Sequence, residues 1–154
     1  MLIDVECNPD TALVHALNIP RHWTRHLRGK GEVVKLVAKA GSAVGLIDED
    51  PLASQPRALS EFREVASCGS VSVLRHKAGG SRFLLVLKPR LEEWLCQCAT
   101  SCGVNLADYE LPRTGEKLHD VSRYDKLPGF PRLVGDLLKW SPEMRFLKSK
   151  LHSP

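Results

Sequence analysis

Four carboxylates are the residues of this chain best placed to do chemistry: Glu6, Asp48 and Asp50, with Asp10 close behind the first. Asp48 and Asp50 stand one residue apart in Ser42-Ala-Val-Gly-Leu-Ile-Asp-Glu-Asp-Pro51, where a short apolar run ends abruptly in acid. Carboxylate oxygens are the ligands that hard divalent cations such as Mg²⁺ or Mn²⁺ take. A paired site of this kind neutralises phosphate and activates water, the chemistry of phosphoryl transfer. An ordinary alternative is that Asp50 caps a following helix with Pro51 at its first position. Asp10 either joins the acids or simply favours a helix N-terminus by its charge.

These side chains need elements to bring them together. Residues 1–5 read as a short strand ending at Glu6, and Asn8-Pro9-Asp10 supplies a helix start ahead of Leu13, Val14 and Leu17. Residues 43–47 read as a buried strand, with a polar helix expected over 54–66. Strand, acid, turn and helix thus occur twice. If both strands are parallel, Glu6, Asp48 and Asp50 emerge on one sheet edge, where open α/β folds bind ligands. Residues 32–40 suit an amphipathic helix, with a strand at 33–37 as the alternative. Residues 71–74 and 82–87 read as a third and a fourth strand, joined through Ala78-Gly79-Gly80, so one of them runs antiparallel.

The fold expected is therefore α/β, with a mainly parallel four-stranded sheet flanked by helices. A helix follows over 89–102, where Glu92 and Glu93 suit the dipole of its first turn. Residues 104–128 are rich in proline and glycine and read as a loop or lid, and 130–140 and 142–151 as two short helices. The expected organisation is an α/β unit over 1–103 and a helical extension over 104–154.

Composition narrows the partners. The net charge of +4 among 154 residues is compatible with nucleic acid without requiring it. Residues 19–31 form a basic connection, and Arg28, Lys30, Arg75, Lys77, Lys88 and Arg90 are candidates for gripping a phosphate backbone. Apolar runs are strand-sized and no basic-then-apolar leader is seen, so a membrane is not expected and a cytoplasmic location is. Five cysteines, an odd number, are expected as free thiols. The spacing of Cys96, Cys98 and Cys102 is not that of a zinc knuckle or ribbon. No phosphate-binding glycine loop, dinucleotide fingerprint or serine-hydrolase elbow is present.

The order of these marks resembles the Toprim catalytic domain of topoisomerases, DnaG-type primases and overcoming-lysogenization-defect-type nucleases. The resemblance lies in Glu6 after the first strand, the Gly45-Leu-Ile-Asp48-Glu-Asp50 turn after a later one, and Leu91-Glu92-Glu93-Trp94, which is similar to an L-E-x-W stretch of small stand-alone Toprim-like proteins. It covers about residues 1–100. It implies that Asp48 and Asp50 hold Mg²⁺ or Mn²⁺ and that Glu6 is a further ligand or the general acid–base. The implied activity is metal-dependent phosphoryl transfer on DNA or RNA, as a nuclease or nuclease subunit, with a protein partner possible. The glycine that follows the first glutamate in that family is Cys7 or Asn8 here, and no tyrosine nucleophile domain is visible. Two alternatives stand beside this reading: an inactive Toprim-like module that regulates a partner, and a receiver-type phosphoacceptor with Asp48 as acceptor and Lys88-Pro89 on the later strand.

Overall fold

The first strand, β1 (Ile3–Val5), is buried throughout, and the helix α1 (Asn8–Ala16) follows with Pro9 and Asp10 in its first turn. A computed structural model describes residues 1–154. After a turn at Arg21–Trp23 the chain forms β2 (Thr24–His26), then α2 (Lys30–Lys39) and β3 (Ser42–Asp48). The basic connection at 19–31 thus contains a strand that its polarity conceals. Asp4 on β1 is fully buried, and Arg25, directly opposite on β2, meets it with two hydrogen bonds of 2.8 and 3.0 Å. That fork neutralises the buried carboxylate and fixes β2 at the sheet edge.

The segment at 54–66 departs from the helix expected of it. Arg57–Glu61 makes a short 3₁₀ turn and Phe62–Cys68 is a strand, β4. It pairs antiparallel with β5 (Val71–His76), and the register shifts between Glu64 and Ala66. A bulge inserts an extra residue and breaks the two-residue alternation that would identify a strand. β5 then turns back through Gly79 and Gly80, both at positive φ, into the antiparallel partner β6 (Ser81–Leu87).

The sheet therefore has six strands, not four, in the order β2-β1-β3-β6-β5-β4. The first four positions run parallel, β5 runs antiparallel to β6, and β4 runs antiparallel to β5 at the edge. Helix α3 (Leu91–Ser101) follows β6 directly. The stretch at 104–128, expected as a loop, holds a 3₁₀ turn at Leu106–Tyr109, the short α4 (Gly115–Asp120) and another turn at Tyr124–Lys126. Helices α5 (Gly129–Trp140) and α6 (Pro142–His152) complete the chain, both where hydropathy patterning expects them.

Two apolar layers sandwich the sheet. On one face, 29 buried residues from Ile3 to Leu151 join α1, α3, α5 and α6 to the strands, so the last fifty residues share the core of the first hundred. On the other, Val33, Val34 and Val37 of α2 pack on Ile47, Leu84 and Val86. Gly45 permits this contact: a Cβ there would lie 2.7 Å from Val33 and 2.8 Å from Leu84. No helix is long and apolar enough to cross a membrane.

Candidate functional site

The chain order places a crevice between β1 and β3. From β1 the connection through α1 leads outward to β2, and from β2 the connection through α2 crosses back to β3 on the other side of β1. Helix α1 lies on one face and α2 on the other, so the strand ends part there. Glu6 follows β1 and Asp48 closes β3, which puts both at this switch point, at the carboxyl ends of parallel strands. Glu6, Asp48 and Asp50 line one cleft of about 330 Å³ with Lys30 of α2 and the loop residues Ser54 and Gln55. The sequence reading of convergence across forty residues is realised in the geometry.

The acids are locked by backbone. Glu6 Oε1 accepts a 2.7 Å hydrogen bond from the Asp48 backbone N–H, and Asp48 Oδ1 accepts one of 3.0 Å from Leu91 N–H at the start of α3. The other oxygen of Asp48 is left for a ligand. Asp10, in the first turn of α1, is fully buried; its Oδ2 accepts from the Cys7 thiol at 3.1 Å, and its Oδ1 has no partner. A buried carboxylate oxygen without a donor is costly unless a cation or proton meets it.

Electrostatics express the same shortage of positive charge. Burial, with repulsion from Asp10 and Glu6 added, pushes the Asp48 carboxyl up to about 9 against the Leu91 N–H that opposes it. Burial likewise raises Asp10 to about 7, helped by Glu6 and Glu92. Glu6 is raised by burial too, although the Asp48 N–H and the Lys30 ammonium pull the other way. Carboxyls held this far from their ordinary range take up either protons or a cation. Burial, reinforced by Asp10, also raises the Cys7 thiol, which removes it as a nucleophile.

Asp50 sits differently from the other acids. It adopts φ 42°, its N–H donates to Pro89 O at 2.8 Å, and it lines the outer wall of the cleft. No helix follows it, so the capping alternative does not apply. Gln55 holds the loop by donating from Nε2 to the carbonyls of Glu49, Asp50 and Ala53.

The basic candidates separate into two groups. Lys30 lines the acidic cleft and donates from Nζ to Glu49 O at 2.6 Å. Arg28 lies with His26 in a shallow cleft on the other side of Glu6. Lys88 stands 3.7 Å from Glu64, and Arg90 is engaged by Glu93. Arg75 and Lys77 are not brought to the site. Arg75 pairs with Phe83 near the start of β6, about 13 Å of strand away from the acidic end at Leu87. Lys77 is spent on Ser60 O.

One acid exceeds its sequence reading. Glu92 is buried, and its Oε1 accepts from Tyr124 OH at 3.0 Å and meets His119 Nδ1 at 3.3 Å. Its charge reaches Asp10 and Asp48. Position in a first helical turn gave no sign of this, because its partners come from the stretch read as a loop. The thiols of Cys96 and Cys98 are raised by burial to about 11 and about 12, as packing residues are. No group of three His, Cys, Asp or Glu side chains is placed to hold a metal ion as it stands. Comparison with protein-family models, with curated proteins and with solved structures yields no match.

Proposed function

We propose that this chain is a Mg²⁺- or Mn²⁺-dependent phosphoryl-transfer enzyme acting on nucleic acid, most simply a nuclease or nuclease subunit of the Toprim type. The observation that carries the proposal is the convergence of Glu6, Asp48 and Asp50 on one cleft at the β1–β3 switch point, with the buried Asp10 carboxyl, its Oδ1 unpartnered, near enough to raise Asp48. An all-oxygen, carboxylate donor set suits a hard divalent ion. Asp48 and Asp50 would hold the ion with Glu6 beside them in the cleft, and the buried Asp10, outside the cleft lining, would act on them through its charge.

A bound Mg²⁺ or Mn²⁺ supplies charge neutralisation at the phosphate and a lowered pKa for an attacking water. The chain does the rest. Lys30, already at the cleft wall, exchanges its carbonyl contact for a phosphate oxygen. Glu6, held above the ordinary carboxylate range, exchanges a proton at its carboxylate with the attacking or leaving oxygen. Arg28, beside His26, extends the positive surface beyond Glu6 for a continuing backbone. The test is cleavage of labelled single- and double-stranded DNA and RNA with Mg²⁺, with Mn²⁺ and with chelator. Activity should require metal and vanish in Asp48→Asn, while the variant stays folded. Cleavage retained in Asp48→Asn/Asp50→Asn rejects the proposal.

A partner-binding module is the second reading. It is favoured by the tethering that Glu6 and Asp48 already provide to backbone N–H groups. It predicts a folded protein with no metal binding and no cleavage.

A further inference from the structure

Beside the acidic cleft lies a second, smaller pocket of about 160 Å³, on the α2 face of the sheet. Its floor is a single cross-strand row: Ile47 on β3 pairs with Val86 on β6, which pairs with Ser72 on β5. Leu74, two residues along β5, lies on the same side, and Leu59 from the Arg57–Glu61 turn closes the pocket from above the sheet. The floor is thus apolar apart from the Ser72 hydroxyl, which donates to Glu64 at 2.6 Å, while Glu49 also lines the pocket. The pocket adjoins the cleft, because Lys30, Asp48 and Gln55 line both. Lys88 is its further cation.

An apolar slot flanked by a few polar groups is the form small-molecule sites take. Here it adjoins a carboxylate cleft suited to a metal-bound phosphate; Lys30 lines both, and Lys88 lines the slot. The ligand this describes is amphiphilic: a phosphate at one end and a compact, flat, weakly polar ring at the other. The volume admits one unpaired base and excludes a base pair.

Resting on the phosphoryl-transfer reading above, we propose that this pocket receives the nucleobase of the nucleotide whose phosphate lies at Asp48. The substrate is then a strand end or a single strand, since a base inside a duplex enters only by being extruded at the cost of its stacking and pairing. Ile47, Val86 and Leu74 contact the ring without reading its edge, so the pocket selects for an unpaired base and not for sequence. Lys88, which lines the pocket and not the cleft, is a positioning residue for the nucleoside.

The experiment is calorimetric titration, in Mg²⁺, of thymidine 5′-monophosphate and of inorganic phosphate into the wild type and Leu74→Trp. The nucleotide should bind the wild type about tenfold or more tightly than phosphate does. Leu74→Trp should remove that preference and leave phosphate and Mg²⁺ binding unchanged. Leu59→Trp fills the same slot from the other wall and serves if Leu74→Trp does not fold. Amide shifts at Ser72 and Lys88 that appear with nucleotide and not with phosphate support the same pose without any variant. Equal affinity for nucleotide and phosphate, or a preference that survives both tryptophans, overturns the pocket while the metal site stands. A wild type that binds neither Mg²⁺ nor phosphate overturns the phosphoryl-transfer reading, and this inference with it.

Discussion

Asp48 is held at about 9 and Asp10 at about 7, both by burial first and neighbouring acids second. In the unfolded chain each returns to about 3.8. The folded state therefore holds more protons than the unfolded one between those values, and folding stability in metal-free solution falls as pH rises from about 4 towards about 9. Asp48→Asn removes the larger of the two shifts, so it should flatten the fall and melt higher than wild type at alkaline pH. Thermal melts in chelator across that range check this; a wild type as stable at pH 9 as at pH 5 contradicts the charge shortage. Added Mg²⁺ should reverse the order, protecting the wild type and leaving Asp48→Asn unmoved. The acids at the two strand ends, Glu6 and Asp48, were legible because each ends an apolar run. Glu92 was not, since its role depends on Tyr124 and His119, which only the folded chain brings near.

Strands and helices show where periodicity speaks and where it is silent. β3 and β6 are continuous apolar runs, and α5 and α6 have clear helical spacing, so all four follow from pattern. β2 and β4 do not. β2 is a polar edge strand fixed by one ion pair, and β4 is an edge strand whose alternation a bulge interrupts. Arg25→Met leaves the Asp4 carboxylate buried without its partner and should cost about 3 kcal/mol, read as a lowered denaturant midpoint. Arg25 is half exposed, so solvent screening places this at the low end of such losses. Gly45→Ala meets two core side chains and should cost about 1–3 kcal/mol by overpacking between α2 and β3. Because β3 carries Asp48, that variant should also weaken metal binding, which a serine at exposed Gly41 should not.

Across the whole molecule, the division at residue 103 marks a change in composition and not a break in the core. Leu106, Tyr109, Phe130, Leu133 and Leu147 bury against the same layer as Leu13, Leu46 and Trp94. Trp94 Nε1 and Ser70 N–H both donate to Glu143 of α6, tying the helical end to the sheet. Residues 1–103 alone should therefore fail to fold cooperatively, with broad amide dispersion lost and a dye for exposed apolar surface bound. A truncated chain with a sharp melt would make the extension dispensable. The parallel core, its hairpin and the closing helices were foreseeable as a class. The sharing of one core was not, because prolines and glycines at 112–135 signal irregular backbone without saying what it packs against.

Divalent-cation binding in the acidic cleft is the deciding property of this molecule. Calorimetric titration of Mg²⁺, and then Mn²⁺, into the wild type and Asp48→Asn/Asp50→Asn reads this directly. The prediction is saturable binding to the wild type with release of protons at neutral pH, and none to the double variant although it remains folded. A well-folded wild type that binds neither ion contradicts the account and leaves Glu6 and Asp48 as tethers of the backbone alone.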